Sequence, residues 1–147
     1  MILVTGGTGL VGSHLLYHLT QKNDVIRAIY RSEESLQKVR NVFSYYTQDV
    51  EDSFSKIEWH QADITDIPSM TPLFQGVSQV YHSAALISFD TADYREMRKV
   101  NIHGTAIVAN LSIDAGVQKL CYVSSIAAVG SDLKKEFDDE DNEWNGN

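Results

Sequence analysis

Short apolar runs recur along the chain, and stretches with helical periodicity separate them. The apolar runs predict five strands, over residues 2–4, 25–30, 56–61, 79–83 and 120–123. Apolar positions spaced three or four residues apart predict helices over 9–20, 33–46, 68–74 and 91–115, whereas 48–55 is polar and is interpreted as a loop. Strands that alternate with helices are typical of a parallel α/β sheet with helices on both faces. We therefore predict a doubly wound sheet of about five strands in the order 3-2-1-4-5, with a crevice between the first and fourth strands.

A cluster of glycines lies between the first predicted strand and the first predicted helix. Its spacing is G-x-G-x-x-G from Gly7 and G-x-x-G-x-x-G from Gly6. Glycine lets backbone N–H groups approach a phosphate closely, and the helix that follows presents unpaired N–H groups and the positive end of its dipole. The strand–turn–helix context makes the pattern more specific than the spacing alone. It favours a pyrophosphate-binding turn, and a structural turn without a ligand is the alternative.

Composition excludes some classes of function. The net charge is −8 and Lys and Arg are nowhere concentrated, which argues against a nucleic-acid surface. The single cysteine, Cys121, excludes an internal disulfide and a cysteine metal cluster, and no metal site is predicted. No basic-then-apolar leader precedes the first strand and no apolar run is long enough to cross a bilayer. We therefore expect a soluble cytoplasmic protein with no membrane partner.

Five motifs then occur in a single order along the chain. They are Thr5-Gly6-Gly7-Thr8-Gly9-Leu10-Val11-Gly12, Ala62-Asp63-Ile64, His82-Ser83-Ala84-Ala85, Val100-Asn101-Ile102-His103-Gly104-Thr105 and Tyr122-Val123-Ser124-Ser125. Together they resemble the extended short-chain dehydrogenase/reductases, the NAD(P)-dependent epimerase/dehydratase family, and residues 98–130 are most similar to its dihydroflavonol reductase and hydroxysteroid dehydrogenase branch. The resemblance implies a Rossmann-type fold. It also implies an NAD(P)-dependent oxidoreductase acting on a carbonyl or secondary alcohol, with nucleotide sugars among the candidate substrates.

The same resemblance implies a row of site residues along the crevice. Pyrophosphate is expected at Gly6, Gly7, Thr8, Gly9, Leu10, Val11 and Gly12, adenine at Asp63 and Ile64, and the ribose and nicotinamide at Ser83, Ala84, Ala85 and Ser124. Ser125 matches the catalytic serine that hydrogen-bonds the substrate oxygen. Asn101 matches the asparagine that bends its helix and holds a water near the catalytic lysine.

The end of the second predicted strand bears on the choice of cofactor. It has the sequence Tyr30-Arg31-Ser32, without the carboxylate that would bind the ribose 2′-OH of NAD. The guanidinium of Arg31 suits the 2′-phosphate of NADP, although Glu33 and Glu34 follow closely and oppose it. The sequence therefore favours NADP, with NAD as the alternative.

One part of the family's chemistry has no match in the chain. The family uses a tyrosine as general acid/base and a lysine four residues later to lower its pKa, but no tyrosine follows Ser125. Two explanations are open: an N-terminal piece of a longer enzyme, which we favour, or a non-catalytic NAD(P)-binding regulatory module. We expect a dinucleotide-binding domain over 1–131 and an acidic loop over 132–147 that leads to a missing C-terminal part. Family members often form homodimers through the long helix and the tyrosine helix, of which this sequence has only the first, and the resemblance implies a possible homodimer.

Overall fold

A single parallel sheet forms the centre of the computed structural model, which describes residues 1–22, 25–125 and 128. Its strands are β1 (Ile2–Thr5), β2 (Ile26–Tyr30), β3 (Ile57–Gln61), β4 (Gln79–His82) and β5 (Lys119–Tyr122). They pair in the order β3-β2-β1-β4-β5, and all four pairings are parallel. The predicted fold class and strand order are confirmed. The expected domain end at residue 131 and the acidic loop over 132–147 lie outside the described residues.

Helices cover both faces of this sheet. They are α1 (Leu10–Thr20), α2 (Glu34–Phe43), α3 (Val50–Ser55), α4 (Ile67–Met70), α5 (Tyr94–Arg98) and α6 (Thr105–Asp114), with 3₁₀ turns at Thr71–Phe74 and Thr91–Asp93. One apolar cluster lies on each face. The first joins β1 and β2 to α1, α2 and α3 through buried Val4, Leu16, Ala28, Val39, Phe43 and Phe54. The second joins the sheet to the later helices through Leu3, Ile64, Met70, Val80, Val100 and Val108.

The predicted loop over 48–55 is wrong, because this stretch contains helix α3. The Asp49 carboxylate accepts a hydrogen bond from the Asp52 N–H at 3.2 Å and caps the first turn. Phe54 is buried, and the Arg40 guanidinium lies 3.7 Å above the centre of its ring. Six residues with one buried aromatic side chain are too short to show helical periodicity, so packing against α2 decides this helix.

The long helix predicted over 91–115 is one helical rod, but its winding changes along its length. Between α5 and α6 the segment Lys99–Gly104 is π-helical, with one residue more per turn than its neighbours. We call this the π segment. Hydrophobic spacing alone did not indicate it.

Pairing in register brings the carboxyl ends of three strands to the same edge of the sheet. Thr5 of β1 lies beside His82 of β4, and His82 lies beside Tyr122 of β5. The glycine turn, the Ser83–Ala85 stretch and the serines at 124 and 125 all begin immediately beyond this level. Ligands of such sheets bind at this edge.

Candidate dinucleotide-binding site

The glycine turn after β1 is made by close approach of backbone to backbone. Gly6 has a φ of +70°, and a Cβ on it would lie 2.4 Å from the backbone nitrogen of Ala84. Its carbonyl accepts the Gly9 N–H at 2.9 Å, which closes the turn, and Gly9 is the N-cap of α1. A side chain at Gly6 would therefore separate the turn from the end of β4.

Two further glycines seat α1 on this turn. A Cβ at Gly12 would lie 2.1 Å from the Gly6 carbonyl oxygen, and one at Gly7 would lie 2.8 Å from the Leu16 side chain. The side chains of Leu10 and Val11, in the first turn of α1, are exposed. The N–H groups of a first helical turn have no acceptor within the helix and lie at the positive end of its dipole, so this turn can donate to an anion.

A crevice of about 320 Å³ runs from the glycine turn along the carboxyl edge of the sheet. Ten residues singled out from the sequence line it: Gly6, Thr8, Gly9, Tyr30, Arg31, Asp63, Ile64, Ser83, Ala84 and Ala85. Six lining residues were not singled out: Ile29, Ser32, Ser35, Lys38, Ala62 and Val100. Of these, Lys38 is a cation three residues after Ser35 on α2. That spacing on one helix face is the signal that could have found it.

Asp63, just after β3, forms the acidic wall of the crevice. Burial raises the pKa of its carboxyl group, but hydrogen bonds from the Thr65 N–H and hydroxyl, both at 2.8 Å, lower it. The positive charges of Arg31 and Lys99 lower it further, and the resulting pKa lies below its ordinary value. The carboxylate is therefore ionised at neutral pH and can accept hydrogen bonds.

Two cations, Arg31 and Lys38, line the crevice together with Asp63. Arg31 follows β2 and Lys38 lies on α2, and both side chains are exposed. Within the described residues neither cation forms a salt bridge with Glu33 or Glu34, and the charge of Arg31 acts on Asp63. The backbone carbonyl of Arg31 accepts a hydrogen bond from the Gln61 side chain at 3.1 Å, which ties this corner to β3.

The residues that follow β4 line the crevice next to the glycine turn. Both the N–H and the hydroxyl of Ser83 donate to the Thr5 carbonyl, at 3.1 and 2.8 Å. The backbone of Ala84 contacts Gly6 closely. The Ser83 hydroxyl is thus engaged with β1, and the small side chains at 84 and 85 leave the crevice open beside it.

Asn101, in the π segment, holds the loop that follows β4. Its Oδ1 accepts the Leu86 N–H and its Nδ2 donates to the Leu86 carbonyl, both at 2.8 Å. Three residues later Gly104 lies against Ile64, where an added Cβ would come within 2.6 Å of the isoleucine Cδ1. The π segment therefore contacts the loops after both β3 and β4.

Ser124 and Ser125 follow β5 at the same edge of the sheet and are exposed. The Ser125 carbonyl accepts a hydrogen bond from the Ala128 N–H at 2.9 Å. Neither serine lines the crevice described above, which extends from the glycine turn to Asp63 and the Ala85 loop.

Comparison with known proteins agrees with this geometry. The family model described as "3-beta hydroxysteroid dehydrogenase/isomerase family" matches residues 3–147. The chain belongs to this family. The resemblance inferred from the five motifs is thereby confirmed.

Individual relatives of this hydroxysteroid dehydrogenase family member share about three residues in ten with it. The sterol demethylase protein B of Methylococcus capsulatus is 29% identical over 128 residues, which are 87% of this chain and 35% of the relative. The 3 beta-hydroxysteroid dehydrogenase/Delta 5→4-isomerase of Monkeypox virus is 31% identical over 130 residues, which are 86% and 34% of the two chains. The chain thus spans about a third of the length of the curated relatives it matches.

Solved structures share the fold as well. The UDP-glucose-4-epimerase of Stenotrophomonas maltophila, with bound NAD and formylated UDP-arabinopyranose, superposes with a TM-score of 0.69 at 26% identity. The match covers 91% of this chain and 40% of the epimerase. Other solved structures with this fold hold NAD or NADPH.

The residues of this family member fit a nicotinamide dinucleotide. The glycine turn and the first turn of α1 offer backbone donors for a pyrophosphate, and ionised Asp63 offers an acceptor at the far end of the crevice. Within the described part of the chain, no three His, Cys, Asp or Glu side chains are grouped to hold a metal. Nor is any described helix long and apolar enough to cross a membrane.

Proposed function

We propose that this chain is the dinucleotide-binding part of an NAD(P)-dependent oxidoreductase that acts on a carbonyl or a secondary alcohol. The observation that carries the proposal is the crevice between the glycine turn and Asp63. The glycine turn supplies backbone N–H donors for phosphates, and Asp63 supplies an ionised acceptor for adenine or ribose. Cofactor-bound relatives of the same fold support the proposal.

The site residues named above take their roles at the carboxyl edge of the sheet. Pyrophosphate binds at the turn over residues 6–12, adenine at Asp63 and Ile64, and the ribose beside Ala84 and Ala85. Ser124 faces the nicotinamide and Ser125 hydrogen-bonds the substrate oxygen. A bound nicotinamide cofactor supplies the hydride chemistry, and the protein orients it. The support is that each of these residues follows the carboxyl end of a strand.

The preference between NADP and NAD rests on the corner formed by Arg31 and Lys38. Two cations without salt bridges among the described residues suit a phosphate dianion, so we propose NADP as the preferred cofactor. The Arg31→Asp variant should bind NADPH about 10- to 100-fold more weakly, because a charge-assisted hydrogen bond is lost and a repulsive charge is added. Its affinity for NADH should change little. Isothermal titration of the 147-residue chain with each cofactor measures both.

The matched control is Arg95→Asp, which makes the same charge change on an exposed arginine of α5 outside the crevice. It should leave the ratio of NADPH to NADH affinity unchanged. An unaltered ratio in Arg31→Asp would overturn the NADP assignment. Failure of the unsubstituted chain to bind either dinucleotide would overturn the function itself.

Catalysis is a separate part of the proposal. Because the sequence contains no Tyr-x-x-x-Lys motif, we propose that the 147-residue chain binds cofactor without turning over a substrate. Steroid alcohols and nucleotide sugars are the substrate classes that the relatives' names suggest for the family. NADPH formation from NADP⁺ and a steroid alcohol, and formation of the 4-epimer from a nucleotide sugar in the presence of NAD⁺, should both equal those of a Ser125→Ala control. A rate above that control would contradict the proposed inactivity.

The partners of the chain belong to the same proposal. A homodimer through the long helix is supported by the exposed Ile102 and Ile113, which are 50% and 76% accessible. Analytical ultracentrifugation of the chain tests it. We also propose a cytoplasmic location for the chain. A non-catalytic NAD(P)-binding regulatory module remains the alternative, favoured by the same lack of a Tyr-x-x-x-Lys motif.

A further inference from the structure

A buried imidazole lies directly beneath the crevice. His82, the last residue of β4, is only 1% exposed. Its Nδ1 lies 2.5 Å from the Thr5 hydroxyl and its Nε2 lies 3.0 Å from the Thr105 hydroxyl. Its ring stacks on Tyr122 with centroids 5.3 Å apart and planes at 22°. One side chain therefore contacts β1, β5 and the start of α6.

The direction of the two hydrogen bonds follows from burial. Desolvation lowers the pKa of His82 to about 4, so the ring is neutral at physiological pH and has one donor nitrogen and one acceptor nitrogen. The Thr5 side chain is fully buried, and among the described residues its hydroxyl contacts only this ring. A buried O–H needs an acceptor, so Thr5 donates to Nδ1. Nε2 then carries the hydrogen and donates to Thr105.

Both threonines adjoin residues that form the crevice. Thr5 precedes Gly6, and its carbonyl accepts the two hydrogen bonds from Ser83. Thr105 follows Gly104, which lies against Ile64 beyond β3. The chain Thr5–His82–Thr105 thus connects the glycine turn to the helix that contacts the adenine side of the crevice.

We propose that His82 is a positioning residue for the dinucleotide. Its two hydrogen bonds fix the distance between the glycine turn and the N-terminal end of α6, and so set the geometry in which the turn's N–H groups meet the pyrophosphate. His82 does not line the crevice and acts through Thr5 and Thr105. This inference rests on the proposed dinucleotide binding.

The decisive pair of variants is Thr105→Val and Thr105→Ser. Valine keeps the shape of threonine and removes the hydroxyl, whereas serine keeps the hydroxyl and removes a methyl group. We expect Thr105→Val to weaken binding of NADPH and of ADP about tenfold, the effect of one hydrogen bond, and Thr105→Ser to bind both as the unsubstituted chain does. Binding of 2′-AMP, which has no pyrophosphate, should be unchanged in both variants.

A purely structural role for the hydrogen bonds predicts a different pattern. In that case Thr105→Val would weaken 2′-AMP and ADP binding in parallel, or would lower thermal stability with no change in NADPH affinity. Either result overturns the proposal. If the unsubstituted chain binds 2′-AMP but neither ADP nor NADPH, the proposed dinucleotide-binding function is contradicted. The inference about His82, which depends on that function, is then contradicted as well.

A spectroscopic measurement tests the hydrogen-bond direction separately. In ¹⁵N NMR spectra of the unsubstituted chain, the His82 ring should carry its hydrogen on Nε2, with Nδ1 unprotonated at neutral pH. Thr105→Val should shift the Nε2–H resonance, and Thr105→Ser should restore it. A hydrogen on Nδ1, or a resonance that both variants leave unchanged, would contradict the assignment. His82→Phe keeps an aromatic ring against Tyr122 but removes both ring nitrogens, and with them both hydrogen bonds.

Discussion

The glycine turn and the π segment both line the same crevice but are built in opposite ways. At the glycine turn, backbone meets backbone because side chains are missing, as at Gly6 and Gly12. At the π segment, a polar side chain satisfies backbone groups of another element. The Asn101 amide hydrogen-bonds the N–H and carbonyl of Leu86. The approach of Gly12 to Gly6 joins residues six positions apart, whereas Gly6 meets the backbone of Ala84 from the end of β4. A polar side chain needs a specific partner from elsewhere in the fold.

Breaking the glycine turn should have the largest effect. On helix propensity alone, Gly12→Ala would stabilise α1 by about 1 kcal/mol. The added Cβ would instead lie 2.1 Å from the Gly6 carbonyl oxygen, so we expect a loss of about 3 kcal/mol or more. We also expect NADPH affinity to fall by about 100-fold, because the turn cannot keep its shape. Chemical denaturation and isothermal titration measure the two effects.

Gly76→Ala is the control for this variant. Gly76 has a φ of +73° and nothing within 4 Å of an added Cβ, so only backbone strain of about 1–2 kcal/mol is expected. Its NADPH affinity should stay unchanged. A stabilised Gly12→Ala chain would show that the contact at the turn relaxes freely.

Acidification tests the polar connection between the two regions. The buried His82 has a pKa of about 4, below the ordinary value of 6.5, so the unfolded chain binds its proton first as the pH falls. The contribution of neutral His82 to the free energy of unfolding is complete above pH 6.5. It declines between about pH 6.5 and 4, by up to about 3 kcal/mol in total. Denaturation of the unsubstituted chain at pH 7 and pH 4.5 should show this decline.

His82→Phe provides the reference, because the other histidines stay in place. Its stability should decline less over the same pH range. Equal slopes for the two chains would contradict the burial of a neutral ring at this position. Asp63, whose pKa is lowered, loses its contribution only below about pH 4, outside this range.

Removing the side chain of Asn101 should have the smallest of the three effects. Asn101→Ala leaves the N–H and carbonyl of Leu86 without this partner, at a cost of about 2 kcal/mol. Asn110→Ala is the matched control, since Asn110 is exposed on α6 of the same helical rod. Denaturation midpoints measure both. Equal changes would mean that water replaces the amide of Asn101 and that the π segment does not depend on it.

Much of the architecture was predictable from local patterns. The alternation of elements together with the dinucleotide-binding pattern of the glycine turn predicted the strand order, and ten residues singled out from the sequence line one crevice. Lys38 was missed because its helix was interpreted only through its apolar face. Helix α3 was missed because a cap at Asp49 and one buried phenylalanine leave no periodic signal in six residues.

The sequence by itself determined the sheet, its order, the glycine turn and the family, because periodicity and glycine spacing are encoded in neighbouring residues. Only the tertiary structure decided the π winding, the engagement of Asn101 with Leu86 and the burial of His82 between two threonines. These contacts join residues 15, 23 and 77 positions apart. Their existence depends on the packing of whole elements, since a polar side chain is stabilised in the interior only when its partner is already in place.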